Sequence, residues 1–178
     1  MNKEIIFGTG CFWCSEAVFS QVKGVIKVTP GYSGGHKNNP TYGEVCSGLT
    51  GHAEVVKIQY DDNIISLREL LEIFLAIHDP TSLNRQGNDI GEQYRSAIYV
   101  YNKEDYDAAK KFLEEKAEYF IKPIVTEVDY VKNFYEAEDY HKMYFFKNRR
   151  NPYCKFVIEP KLDKVRKNFY DLIIANKD

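Results

Sequence analysis

The sequence predicts an α+β fold. Three observations carry that prediction. Short apolar segments occur at 4–7, 25–29, 53–60 and 96–101, apolar residues recur at helical spacing between the first and second and between the third and fourth, and a polar, glycine-punctuated connection joins the second to the third. The chain has 178 residues, 44% hydrophobic and 28% charged, a balance that supports one domain with a real core and excludes wholesale disorder.

Residues 4–7 read as a strand closed by Gly8-Thr9-Gly10. A helical pattern runs over 12–22, with Ala17, Val18 and Val22 recurring at helical spacing, and Gly24 ends it. After the strand at 25–29, residues 30–52 hold Gly31, Gly34, Gly35, Pro40, Gly43, Gly48 and Gly51, a long irregular loop of the kind compact domains keep for function. Over 53–60, Ala53, Val55, Lys57 and Gln59 fall on one side and Glu54, Val56, Ile58 and Tyr60 on the other, as in a strand.

Ser66 with Glu69 forms a reciprocal capping pattern, opening a helix whose stripe is Leu67, Leu70, Leu71, Phe74 and Leu75 and which Pro80 stops. A second polar loop over 81–93 leads to the strand at 96–101. Asn102 caps a helix over 103–120, and 124–131 reads as a further strand. The order strand-helix-strand-strand-helix-strand matches a ferredoxin-like split βαβ core, an α-β plait, with long functional loops. A helix over 135–147, a basic turn at 148–153 and a terminal helix over 160–174 form the C-terminal extension.

Composition narrows the function. The net charge of −2 gives no positive field for nucleic acid or anionic lipid. No apolar run approaches the roughly 18 residues of a membrane span, and the N-terminal run reaches Gly8 too soon for a secretory leader. A cytoplasmic protein is expected, with neither membrane nor nucleic acid as partner. Fourteen Tyr against one Trp leave many hydroxyls needing partners. The cysteines at 11, 14, 46 and 154 are too sparse for a disulfide scaffold, which leaves core thiols, metal ligands or reactive thiols.

The sharpest feature is Gly10-Cys11-Phe12-Trp13-Cys14-Ser15-Glu16, after a strand and opening a helix. A thiol at a helix N-terminus faces unpaired N–H groups and the positive end of the macrodipole, which favour thiolate, so a lowered pKa is expected for Cys11. A zinc site would want two more ligands at paired spacing, but Cys46 and Cys154 stand alone and the four histidines form no close pair, so no metal is expected. A dithiol pair suits the helix position, although Phe12 and Trp13 are larger than the usual intervening residues and suit a pocket for a small apolar group. Glu54, at the start of an apolar strand, is either an edge charge or a buried acid with a raised pKa. The loop Arg85-Gln86-Gly87-Asn88-Asp89 with Gln93-Tyr94-Arg95 is either solvated or a wall of hydrogen-bonding groups.

These segments resemble the methionine sulfoxide reductase A family over nearly the whole chain. The resemblance rests on Gly10-Cys11-Phe12-Trp13 with Glu16, Gly31-Tyr32-Ser33-Gly34-Gly35, Asn39-Pro40-Thr41-Tyr42, Val45-Cys46-Ser47-Gly48 and Gly51-His52-Ala53-Glu54. It continues through His78-Asp79-Pro80, Arg85-Gln86-Gly87-Asn88-Asp89, Gln93-Tyr94-Arg95-Ser96 and Ala137-Glu138-Asp139-Tyr140-His141. It implies reduction of the S-epimer of methionine sulfoxide, free and in proteins, as a repair activity under oxidative stress.

By the same resemblance Cys11 is the nucleophile that becomes a sulfenic acid, and Glu54 is the general acid for the sulfoxide oxygen. Tyr42 and Tyr94 hydrogen-bond that oxygen, Asp89 is a polar residue of the same pocket, and Phe12 and Trp13 wall the S-methyl group. Cys154, in Asn151-Pro152-Tyr153-Cys154 on a tail over about 148–178, matches a resolving cysteine. No cofactor is bound, and thioredoxin, or dithiothreitol in vitro, is the implied reductant. Cys14 stands where many relatives carry no thiol. Resolution by Cys154 and participation of Cys14, as resolver or relay, therefore both stand, with Cys14 reaching Cys11 only if the first helical turn loosens. Cys46 is expected to be a buried structural thiol. Two other readings are a general dithiol-disulfide oxidoreductase using Cys11 and Cys14, and a sulfoxide- or zinc-binding module without turnover.

Overall fold

A computed structural model describes residues 1–174 of the chain. The first half of the fold is β1 (Asn2–Thr9), α1 (Phe12–Phe19), β2 (Val25–Ser33), the short α2 (Tyr42–Cys46), β3 (Ala53–Asp61) and α3 (Leu67–Ala76). A small hairpin, β4 (Arg85–Gln86) and β5 (Asp89–Ile90), precedes β6 (Ser96–Val100), α4 (Lys103–Lys116), β7 (Glu127–Tyr130) and β8 (Tyr135–Glu136). The chain then forms α5 (Tyr144–Lys147), a π-helical turn (Cys154–Ile158) and α6 (Glu159–Asn168).

The main sheet has the order β7-β6-β1-β3-β2-β8. Its inner four strands, β6-β1-β3-β2, are all antiparallel neighbours. β1 and β2 therefore run the same way with β3 between them, which is the split βαβ plait expected from the element order. β7 adds in parallel beside β6, and β8 adds antiparallel to the outer edge of β2.

The helices pack on one face. Ile5 and Phe7 of β1, Val56, Ile58 and Tyr60 of β3, and Ile98 and Val100 of β6 point into the core they share with α1, α3, α4 and α6. Phe7 lies 5.5 Å from Phe19 and 4.8 Å from Phe74 between ring centroids, and cutting such a buried ring to Ala costs about 3–5 kcal/mol. The opposite face holds Ile6, Ala53, Val55, Ala97 and Tyr99, covered by Val131 and Phe134. Both caps foreseen in the sequence are formed: Ser66 and Glu69 close a full capping box on α3, and Asn102 accepts from the Asp105 N–H at the start of α4.

Four expectations are corrected. The helix expected over 12–22 stops at Phe19. β2 does not end at residue 29 but continues through Pro30 and Gly31 to Ser33, because its pairing with β3 runs on to Ala53, with β8 on its other edge at Gly31 and Tyr32. A Cβ on Gly31 would meet the Phe134 ring at 2.5 Å, so the residue is glycine for close packing. The helix expected over 135–147 is instead the edge strand β8, a 3-10 turn at Asp139–His141 and the single turn α5. The terminal helix begins earlier than 160, with Cys154 already inside the helical run. Among the described residues no helix is long and apolar enough to cross a membrane.

Candidate active site

Strand direction builds the functional end of the sheet. β1 runs antiparallel to β3 and β6, so the residues just past its end meet the starts of those two strands, with Thr9 opposite Ser96 and Tyr32 of β2 opposite Glu54. Gly10 makes the turn with φ +102°, and a Cβ there would lie 2.9 Å from the Gln86 side chain. Cys11 follows as the N-cap of α1, its backbone extended at φ −61° and ψ 124° and its side chain capping nothing. The sulfur is left free for other partners.

Glu54 is a buried acid, 1% exposed, and the edge-charge reading is excluded. Its Oε1 accepts the Phe12 backbone N–H at 3.2 Å, while its Oε2 is buried without a hydrogen-bond partner in the protein. Burial pushes the carboxyl up to about 8. The Phe12 N–H opposes that rise, and the negative charges of Asp89 and Cys14 add to it. The group therefore holds a proton at neutral pH beside an oxygen that nothing else in the protein engages.

The two thiols at the helix start depart from expectation. Burial pushes the Cys11 thiol well above its ordinary value, a hydrogen bond with Cys14 and the Glu54 charge push the same way, and the Trp13 backbone N–H opposes them weakly. Cys14 is lowered instead, first by its hydrogen bond from Cys11 and then by Lys161 and the Tyr153 hydroxyl, against the effect of its own burial. Desolvation and the shared proton outweigh the helix N-terminus, so the negative charge of the pair belongs on Cys14.

An aromatic wall flanks Cys11. Phe12 is fully buried and packs against Tyr32 at 5.7 Å, His141 at 5.0 Å and Tyr42 at 6.4 Å. The Trp13 indole stacks flat on Tyr144 at 3.7 Å, and its Nε1–H donates to His141 Nδ1 at 3.0 Å. Tyr42 opens α2, and Glu138 fixes it by accepting its backbone N–H at 3.0 Å while also taking the Tyr32 hydroxyl at 2.9 Å. Tyr94 ends a 3-10 turn before β6. Burial raises its hydroxyl, and so do the charges of Glu54, Cys46, Asp89 and Cys11, the groups that surround it. Asp89 accepts the Tyr153 hydroxyl at 2.7 Å.

Cys154 is fully buried in the π-helical turn, and that burial raises its thiol, with a negative charge on Cys14 adding to the rise. Cys46 corrects a further expectation: it is exposed, because α2 is a surface helix that buries only Val45. Among the described residues no three His, Cys, Asp or Glu side chains gather as a metal site. A thiol, a protonated carboxyl, two hydroxyls and an apolar wall at one end of the sheet can take an oxygen from a small oxidised molecule onto sulfur, with a proton supplied locally.

The family model described as peptide methionine sulfoxide reductase matches residues 3–173. The chain belongs to that family.

A relative from Saccharolobus solfataricus, named peptide methionine sulfoxide reductase MsrA, is 56% identical over 93% of this chain and 94% of its own. The solved methionine sulfoxide reductase A of Corynebacterium diphtheriae superposes with a TM-score of 0.81 at 36% identity, over 83% of this chain and 76% of that one. Mxr1 of Saccharomyces cerevisiae, solved in complex with Trx2, gives a TM-score of 0.57 at 25% identity, over 80% of this chain and 84% of that one. The chain is thus an oxidoreductase of the peptide methionine sulfoxide reductase family, with the α+β fold of its solved members.

Of the residues singled out in the sequence, Cys11, Phe12, Trp13, Cys14, Tyr42, Glu54, Asp89 and Tyr94 all gather at this end of the sheet, with Cys154 behind Cys14. His141, Glu138 and Tyr153 were given no role. The first two lay in a matched block and the third beside Cys154, but only tertiary packing brings them to Trp13, Tyr42 and Asp89.

Proposed function

We propose that the chain reduces the S-epimer of methionine sulfoxide, free or in oxidised proteins, with Cys11 as nucleophile and Glu54 as general acid. The observation that carries this reading is the buried Glu54 carboxyl, protonated up to about pH 8, with one oxygen free beside the helix start that holds Cys11.

A sulfoxide sulfur bears partial positive charge, so its arrival offsets the desolvation that keeps the Cys11 thiol protonated. The thiolate attacks that sulfur, and Glu54 protonates the oxygen. The protonated oxygen then moves to the Cys11 sulfur as the substrate's S–O bond and the new S–S bond break, so methionine leaves with its lone pair restored and Cys11 is left as the sulfenic acid. Tyr42 and Tyr94 donate to the oxygen, Asp89 lines the polar side, and Phe12 and Trp13 hold the methyl group. Sulfur is the stereocentre, so fixed methyl and oxygen slots present only one epimer to Cys11.

Cys154, with or without the participation of Cys14, then condenses with the sulfenic acid, releasing water, and a dithiol donor reopens the resulting disulfide. No bound cofactor is needed. Thioredoxin is the donor in this reading, supported by the solved pairing of Mxr1 with Trx2. A cycle that ends in free thiols suits the reducing cytoplasm.

Presenting the two sulfoxide epimers separately, with dithiothreitol as donor, tests the proposal. Consumption of the S-epimer with the R-epimer left intact supports it, and equal consumption of both contradicts it.

A further inference from the structure

Arg95 is a largely buried charge that the mechanism above does not use. It follows Tyr94 directly with extended backbone, φ −66° and ψ 150°. Alternation along β6 then sets its side chain with Ala97 and Tyr99, on the sheet face away from the helices. There the guanidinium side chain, 16% exposed, engages four acceptors. Its Nε donates to Glu127 Oε2 at 2.9 Å and its Nη1 to the Glu92 carbonyl at 3.0 Å. Its Nη2 donates to the Gly51 carbonyl at 2.9 Å and to the Tyr99 hydroxyl oxygen at 3.2 Å. The Tyr99 hydroxyl in turn donates to Glu127 Oε2 at 3.0 Å, which closes the network. Gly34 leaves the space, since a Cβ there would lie 2.9 Å from Arg95 Nη2.

The two carbonyls belong to the two segments that meet at the site. Glu92 opens the 3-10 turn Glu92–Tyr94, and its carbonyl also accepts the Arg95 backbone N–H at 3.2 Å. Gly51 lies at φ +75° just before β3, three residues ahead of Glu54. Glu54 is held independently, by the pairing of β3 with Tyr32 of β2 and by the Phe12 N–H. Tyr94 lies outside the sheet, in a turn closed by its own N–H to the Gly91 carbonyl at 3.1 Å. The guanidinium ties that turn to Gly51. Tyr42, the other hydroxyl of the pocket, is anchored separately through Glu138.

We propose that Arg95 is a positioning residue for the oxygen transfer: clamped by Glu127 and Tyr99, it fixes the Tyr94 turn to the start of β3 and so sets where the Tyr94 hydroxyl meets the sulfoxide oxygen. The proposal rests on the reading of Tyr94 and Tyr42 as donors to that oxygen. Arg95 acts from behind the sheet and does not touch the substrate. An ion pair with Glu127 alone would use one edge of the guanidinium, whereas here the remaining N–H groups reach two backbone carbonyls. A planar fork of five N–H donors holds such directions at once. A lysine ammonium, a point charge on a flexible stem, keeps the charge and loses that fixed geometry. Losing the clamp therefore displaces one hydroxyl of the pocket and leaves the other in place.

The test places Arg95→Lys in two backgrounds and reads the single-turnover rate at saturating (S)-methionine sulfoxide, with folding checked by circular dichroism. In Tyr42→Phe, where Tyr94 supplies the remaining hydroxyl, Arg95→Lys is expected to slow the rate by about 10–10²-fold. In Tyr94→Phe, where Tyr42 remains, the same substitution is expected to change the rate by no more than about 2-fold. Slowing that is equal in both backgrounds, greater in Tyr94→Phe or absent from both overturns the proposal. If Arg95→Lys fails to fold, Glu127→Gln decides by the same comparison, because it keeps the volume and removes the carboxylate that clamps the guanidinium. A Tyr42→Phe/Tyr94→Phe protein that turns over at the wild-type rate overturns the donor reading itself. That outcome is distinct from Arg95→Lys acting alike in both backgrounds.

Discussion

The Tyr153 hydroxyl donates to Asp89 Oδ2 at 2.7 Å, tying two residues 64 positions apart. The bond fastens the segment that carries Cys154 to the β4–β5 hairpin, and both residues line a cavity of about 420 Å³. The same Tyr153 ring stands edge-on to Trp13 at 6.0 Å, while Tyr144 stacks on that indole. The C-terminal segment is thus clasped onto the aromatic wall beside Cys11.

Removing the clasp weakens the docked segment. Tyr153→Phe keeps the ring and loses the hydrogen bond to the Asp89 carboxylate together with the weak contact to the Cys14 sulfur; about 1.5–3 kcal/mol and a drop of about 3–10 °C in Tm are expected from the carboxylate bond. Thermal unfolding at pH 7 measures it. An unchanged Tm means that the bond contributes nothing to stability.

Glu54 gives a pH-dependent rate. Glu54→Gln keeps the shape and abolishes the donated proton, so the single-turnover rate at pH 7 falls by about 10²–10⁴-fold. In the wild type the rate falls above about pH 8 as the carboxyl loses its proton. The variant lacks that limb, and a pH profile that keeps it assigns the titration to another group.

The same group gives stability the opposite dependence from an ordinary carboxylate. Its folded pKa lies above its unfolded value of 4.5, so the native state holds the proton more tightly. Its contribution is fully present below about pH 4.5 and is lost as pH rises toward about 8, at most about 1.4 kcal/mol per pH unit. Glu16, also buried and raised to about 7 by desolvation, adds in the same direction. Denaturant unfolding of the wild type and Glu54→Gln between pH 5 and 8 should therefore show a flatter profile for the variant. Parallel profiles would falsify the burial argument.

The chain has one tryptophan, so Trp13 reports on its own wall. His141→Leu removes the acceptor of the indole N–H and strands a half-buried donor, at a cost of about 1–3 kcal/mol. A shift in Trp13 emission is expected, with KM for the sulfoxide rising more than kcat falls, because the apolar slot loses its alignment. A change in kcat alone contradicts a positioning role for His141.

The legible and illegible parts of the chain differ in range. α3 and α4 were readable because Ser66, Glu69 and Asn102 act on backbone groups within a few residues. Cys11 at a helix start was readable for the same reason. The extension of β2 to Ser33 was not, since Pro30 and Gly31 look like loop residues until the start of β3 pairs with them and β8, far along the chain, covers the other edge. The burial of Glu54 was open in the sequence because alternation gives a face, while coverage by α1 decides whether that face is dry. The charge order of Cys11 and Cys14 was misread because the helix N-terminus is visible in sequence and the enclosing Tyr153 and Lys161 are not.

The most direct measurement is a single turnover of reduced Cys11→Ser and wild-type protein with one equivalent of (S)-methionine sulfoxide and no donor, followed by quantified methionine. The wild type is expected to release about one methionine per chain, and Cys11→Ser none above the uncatalysed background. Methionine released by Cys11→Ser at the wild-type rate would remove Cys11 as the atom that takes the oxygen.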